Sequence, residues 1–118
     1  MMSVNPVAVI ETHEFIAITR KMFTDDDRDD LVSYLAFNPM AGDVIAGTGG
    51  VRKLRWSLAG RGKSGGARVI YYYHDERIPL HLLTAYAKNE QVNVSHAARN
   101  AFKTMVAVIS AKVKESNS

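Results

Sequence analysis

The chain reads as an α+β domain with element order β-α-α-β-β-β-α, and three observations predict it. Residues 51–88 contain β-branched and aromatic runs, the first of which alternates cleanly between apolar and polar side chains, the period-2 signature of a strand. Segments on either side place apolar residues three and four apart, the helical period. Glycine- and proline-containing stretches fall between these runs. The last three strands follow one another directly, so they form an antiparallel meander, and the helices pack on that antiparallel sheet. With 118 residues and 47% apolar content, the whole chain, 1–118, is expected to be one domain around one core. About residues 1–6 and 115–118 are expected to be flexible ends.

Each element has a local reason. Residues 7–12 (Val-Ala-Val-Ile-Glu-Thr) are short and β-branched, hence a strand. Residues 14–23 carry Phe15, Ile18 and Met22 at helical spacing, hence a first helix. Thr24 is a suitable N-cap for a second helix, and Asp25, Asp26 and Asp27 complement its positive end. Leu31, Tyr34 and Leu35 make its apolar stripe, and Asn38-Pro39 ends it, because proline disfavours helical geometry in the preceding residue. Residues 42–50 read as a glycine-rich loop. In residues 51–58, Leu54, Trp56 and Leu58 point one way and Lys53, Arg55 and Ser57 the other. Residues 59–66 are a second glycine-rich loop, residues 68–74 a strand with three consecutive tyrosines, residues 75–77 a turn, and residues 79–87 the last strand. A final helix starts at Ser95 and buries Ala98, Phe102, Met105, Val106, Ile109 and Val113.

Composition removes several function classes. There is no cysteine, which excludes disulfides, thiolate zinc sites and cysteine nucleophiles. The N-terminus lacks the basic and apolar regions of a signal peptide. No apolar run approaches the roughly 20 residues that span a bilayer. The expectation is a cytoplasmic protein with no membrane partner. His13, His74, His81 and His96 are scattered, with no metal-ligand spacing such as H-x-x-x-H and no pair on one element face. No metal or cofactor is expected.

Charge is unevenly distributed. Residues 51–88 hold eight of the fifteen basic residues against two acids, whereas residues 1–50 hold eight acids against three bases. The net charge of +3 conceals this asymmetry. A basic sheet surface without a metal cluster suits an RNA backbone. The loop Gly60-Arg61-Gly62-Lys63-Ser64-Gly65 satisfies G-x-G-x-x-G, but a strand follows it where a dinucleotide site needs a helix. It also resembles the end of a phosphate-binding P-loop, but Ser57 stands where the first glycine of that motif belongs. The loop is better suited to presenting Arg61 and Lys63 to phosphates, or to serving as a solvated hairpin connection.

Lys53 and Arg55 share a strand face, and strand pairing can bring Arg68 alongside. Tyr86 and Lys88 share a phase on the last strand, but the sequence leaves open which face that is, because register decides it. A face carrying Lys53, Arg55, Arg68, Tyr86 and Lys88, with Arg61 and Lys63 on its rim, can bind RNA through phosphate contacts and stacking. It can also cleave RNA if a base takes the ribose 2′-hydroxyl proton, a donor meets the leaving 5′-oxygen and cations stabilise the phosphorane. A lysine crowded by like charges is one such base, and the fixed charge of arginine suits the transition state.

Three stretches then resemble one family. They are the run from Asn38-Pro39 through Gly42-Asp43-Val44-Ile45 to Gly47-Thr48-Gly49-Gly50-Val51-Arg52-Lys53-Leu54-Arg55-Trp56, the segment 60–72, and the segment 82–90. Together they resemble the RelE/HigB-type toxins of bacterial type II toxin–antitoxin systems, nearest the HigB-like branch with its G-T-G-G-x-R-K-x-R signature. The resemblance runs from about residue 7 to the last helix. It implies a small compact toxin fold and a metal-independent endonuclease that cuts mRNA in the ribosomal A site. It also implies neutralisation by a cognate antitoxin, a helix-turn-helix HigA-like protein. The family's catalytic positions fall on Lys53, Arg55 and Arg68, with Tyr86 a further carry-over. Lys53 would help activate the 2′-hydroxyl and Arg68 would stabilise the phosphorane. Arg52, Arg61, Lys63 and Lys88 would hold mRNA or ribosomal RNA. Arg52, however, falls on the apolar phase of its strand, the position of a structural residue. Where RelE has an arginine and a base-stacking tyrosine, this chain has Asn89 and Val94. The stacking group and the general acid are therefore open. The alternatives to a nuclease are a non-catalytic RNA- or ribosome-binding protein on the same scaffold, or a domain that only engages an acidic partner.

Overall fold

A computed structural model describes residues 5–58, 66–88 and 96–117. Within them lie β1 (Val9–Glu11), α1 (His13–Thr19), α2 (Asp25–Phe37), β2 (Asp43–Val44), β3 (Val51–Trp56), β4 (Ala67–Tyr72), β5 (Leu80–Ala87) and α3 (His96–Asn117). The expected order is present, with one addition: the loop over 42–50 contains the two-residue strand β2. The strands form one sheet in the order β1-β5-β4-β3-β2. The β3-β4-β5 meander is antiparallel, as expected, but the sheet as a whole is mixed, because β1 runs parallel to β5 along its far edge. Thr12 secures that edge, its hydroxyl donating to the Leu82 carbonyl at 2.8 Å and its backbone N–H reaching the same oxygen at 3.2 Å.

Both short helices begin on a threonine. The Thr12 hydroxyl accepts from the Phe15 N–H, and α1 ends at Thr19, so Met22 lies past it in the following turn. Thr24 and Asp27 form a reciprocal capping box: the Thr24 hydroxyl accepts from the Asp27 N–H, and the Asp27 carboxylate accepts from the Thr24 N–H, each at 3.0 Å. Such a cap contributes about 1 kcal/mol. α2 stops at Phe37, with Asn38 as its C-cap before Pro39.

The sheet separates two cores. On one face, Phe15, Leu31 and Leu35 from α1 and α2 pack on Leu54, Val69, Tyr71, Leu80 and Leu82. Phe15 meets Phe23 edge-on, with centroids 6.2 Å apart. Tyr34 lies outside this core, 41% exposed, with its ring tilted against Trp56. On the other face, Val51, Ile70, Tyr72, Leu83 and Tyr86 are buried, and Phe102, Met105, Val106 and Ile109 of α3 pack against them. Ala98 and Val113, expected in the same stripe, lie outside the described side chains. The fifth strand serves both cores through a β-bulge. Ile70 pairs with Thr84 while the next residue, Tyr71, pairs with Leu82, so Leu83 is the extra residue. Leu80 and Leu82 face α1 and α2; Leu83 faces α3. Past the bulge the alternation is reversed, and Tyr86 faces the α3 side.

The turn between β2 and β3 is held from within. The Thr48 hydroxyl, fully buried, donates to the Ile45 carbonyl at 2.6 Å and accepts from the Val51 N–H at 3.2 Å. Gly50 adopts φ +125, and a Cβ there would lie 3.0 Å from the Tyr72 ring. Glycine satisfies both constraints. No helix among the described residues is long and apolar enough to cross a membrane.

Candidate functional site

The register fixes what alternation along single strands leaves open. Arg55 lies opposite Arg68, and Arg68 lies opposite Tyr86. Lys53 lies opposite Ile70 on the same face, two residues along β3. Directly opposed residues present their side chains on the same side of a sheet. The α3-side face therefore has two ends: an apolar end over Val51, Ile70 and Tyr72, which α3 covers, and a cationic end.

The cationic end forms an open cavity of about 630 Å³ lined by Lys53, Arg55, Arg68, Lys88, Asp43 and Ala41, with Leu54 completing it. A second cavity of about 360 Å³ shares Arg55, Arg68 and Lys88 and continues towards Trp56, Ser57 and Gly66. The two make a groove with shared basic walls. Lys53, Arg55, Arg68 and Lys88 form no ion pair among the described residues; the pairs present there are Glu11–Arg28, His74–Asp75 and Arg77–Asp75. The sole hydrogen bond from these four side chains among the described residues is a long one, 3.5 Å, from Arg68 to its neighbour's carbonyl. Apart from that contact, no described residue engages their donors. Four cations against the single carboxylate of Asp43 among the described lining residues leave a concave site with a positive potential that attracts polyanions.

Tyr86 shares this face but does not line the cavity. It is 8% exposed, packed among Ile70, Tyr72 and Leu83, which leaves no ring face for a base to stack on. Its buried hydroxyl has no hydrogen-bond partner among the described residues. Burial pushes that phenol above its ordinary value, and the Arg68 guanidinium pulls it part of the way back.

Arg52 takes a different place from the one the resemblance implies. On the opposite phase from Lys53, its guanidinium donates to the Gly42 carbonyl at 2.8 Å and the Met40 carbonyl at 3.3 Å. From the same side, the Tyr71 hydroxyl accepts from the Gly42 N–H and donates to the Pro39 carbonyl, both at 2.8 Å. A Cβ on Gly42 would lie 2.9–3.0 Å from the Tyr71 ring and hydroxyl, so the closeness of this contact depends on glycine. Arg52 and Tyr71 thus clamp the 39–42 turn, which delivers Asp43 to the cavity. Asp43 was not among the residues singled out from the sequence. The strand that carries it is two residues long, too short to leave an alternation pattern.

Arg61 and Lys63, with the G-x-G-x-x-G loop, lie outside the described residues, as do Asn89 and Val94. His81 sits on β5 beside Tyr72, at the other end of β4 from Arg68, with Nδ1 2.7 Å from the Pro79 carbonyl. His74 contacts Asp75 in the exposed β4–β5 turn. Neither lines the cavity. Among the described residues no three His, Asp or Glu side chains are grouped to hold a metal ion.

Fold and cleft together define a class: a small α+β domain with an open cationic groove on one sheet face, shaped for a polyanionic partner. The family model described as the RelE toxin of the RelE/RelB toxin–antitoxin system matches residues 9–117. The chain belongs to the RelE toxin family, the toxin side of a toxin–antitoxin pair.

Proposed function

We propose that this protein is a ribosome-dependent mRNA endonuclease of the HigB-like branch, held in check by a helix-turn-helix HigA-like antitoxin. It cuts mRNA in the ribosomal A site by attack of the ribose 2′-hydroxyl on the adjacent phosphorus, without a metal. The observation that carries this reading is the convergence of Lys53, Arg55, Arg68 and Lys88 on one groove with no ion pair to any of them among the described residues. Arg55 and Arg68, adjacent across two strands, provide fixed positive charge for a pentavalent phosphorane. Lys53 and Lys88 flank them and contact the phosphates on either side. Tyr86 backs Arg68 from the core and keeps its strand in place; it does not stack on the message. Arg61 and Lys63 are included among the RNA-contacting residues on the family resemblance alone.

The test is tightly induced expression in a bacterium of wild type and of Lys53→Ala/Arg68→Ala, with 5′-end mapping of mRNA. Growth arrest with new cuts in phase with codons, both lost in the double variant, is the expected result. Arrest without new cuts would replace the nuclease by a translation-blocking binder on the same groove.

A further inference from the structure

The reaction proposed above needs a proton acceptor, and the groove holds a carboxylate beside the lysine the family resemblance implies. Lys53, Arg55, Arg68 and Lys88 carry donor heads; among the described residues Asp43 is the sole carboxylate in the lining, and no histidine joins it. β2 pairs antiparallel with β3, and Asp43 lies directly opposite Lys53. Gly42 faces Tyr71, so by alternation its neighbour Asp43 faces the groove.

Two features separate Asp43 from an incidental surface acid. First, it makes no ion pair among the described residues, although Lys53 is its cross-strand neighbour. Second, its position is built. Two buried or half-buried side chains, Tyr71 and Arg52, contribute four hydrogen bonds to the backbone of residues 39–42 immediately before it. A negative charge in a groove for phosphates repels the substrate, so binding alone gives no reason to hold a carboxylate there. Proton transfer does.

We propose that Asp43 is the general base of this site, taking the proton from the attacking 2′-hydroxyl. Lys53 then acts as the cation that holds this carboxylate and the scissile phosphate. The assignment rests on the nuclease reading above. As the 2′-oxygen bonds to phosphorus, its proton passes to the Asp43 carboxylate. The bond from phosphorus to the 5′-oxygen breaks, and that oxygen leaves as a hydroxyl with a proton from a lysine ammonium in the groove. The products are a 2′,3′-cyclic phosphate and a 5′-hydroxyl end, and exchange with water restores both groups. Arg52 and Tyr71 are positioning residues, acting through the 39–42 turn.

The experiment is single-turnover cleavage of a short mRNA placed in the A site of purified ribosomes, measured across pH for wild type, Asp43→Asn and Asp43→Glu, with ribosome affinity measured in parallel. Asp43→Asn is expected to lower the rate at least ~100-fold, the usual worth of a general base. It should also abolish the acid limb of the pH–rate profile while binding the programmed ribosome as tightly as wild type or more tightly, because a repulsive charge has gone. Asp43→Glu should recover part of the rate and the acid limb. A message with sulfur replacing the 5′-oxygen should not rescue Asp43→Asn, since an easier leaving group compensates for a lost acid and not for a lost base. Asp43→Asn cleaving like wild type, or losing affinity in step with rate, would overturn the assignment and leave the nuclease reading standing. Wild type that binds without cleaving would overturn both.

Discussion

The two faces of the sheet are built from alternate residues of the same strands, and they do different work. The α1/α2 face is apolar from Leu54 to Leu82 and closed by helices. The α3 face is apolar at one end and cationic at the other, and α3 covers the apolar part. One-residue parity thus decides whether a side chain enters a core or lines the groove. Arg52 and Lys53 are the clearest pair. Adjacent in sequence, one clamps a turn from the core side and the other lines the groove.

If this division is right, substitutions should sort by face. The largest stability effect is expected on the closed face. Leu82→Ala removes a fully buried side chain and should cost about 2–5 kcal/mol. Thermal unfolding checks the magnitude, and cleavage per folded molecule should stay near wild type. A Leu82→Ala protein that keeps its stability but loses cleavage would break the division.

Tyr71→Phe probes the boundary between the faces. It leaves the Gly42 N–H and the Pro39 carbonyl without their partner, at a cost of roughly 1–3 kcal/mol. It also has a pH signature. Burial raises the Tyr71 phenol above its ordinary value, more than Gly42 and Arg52 lower it. A group whose folded value is raised contributes stability that is complete below its unfolded value, about 10 for tyrosine, and lost as pH rises through the folded value. Denaturation midpoints of wild type should therefore fall on the alkaline side, and Tyr71→Phe should show a shallower fall, with the contributions of Tyr73 and Tyr86 remaining. An identical alkaline slope in both proteins would contradict this account of the clamp.

The sequence was readable where a pattern is long enough to carry a period. Alternation over 51–58 separated Lys53 and Arg55 from Leu54 and Trp56, and the Thr24 cap and the Asn38-Pro39 stop fell where helix chemistry puts them. Arg52 on the apolar phase was a visible anomaly, and its hydrogen bonds to two carbonyls explain it. Two features were not readable. The face of Tyr86 and Lys88 depends on the Leu83 bulge, which reverses the parity of everything after it. Its trace in β5 is the adjacent buried pair Leu82-Leu83. Asp43 was hidden because a two-residue strand in a glycine-rich loop has no periodicity to detect. Both features are long-range: each becomes visible only once two strands are set side by side.

The central claim is that the cationic end of the α3 face is where RNA is cut. It is tested most directly by removing the same charge from two places. Arg68 lines the groove; Arg77, in the β4–β5 turn beyond the other end of the same strand, is held by Asp75. Single-turnover cleavage on programmed ribosomes should fall roughly 100- to 1,000-fold for Arg68→Ala, the scale of losing one transition-state donor. It should be indistinguishable from wild type for Arg77→Ala, with both variants folded. Equal losses in the two variants would reduce the effect to overall charge, and undiminished cleavage by Arg68→Ala would place the chemistry elsewhere.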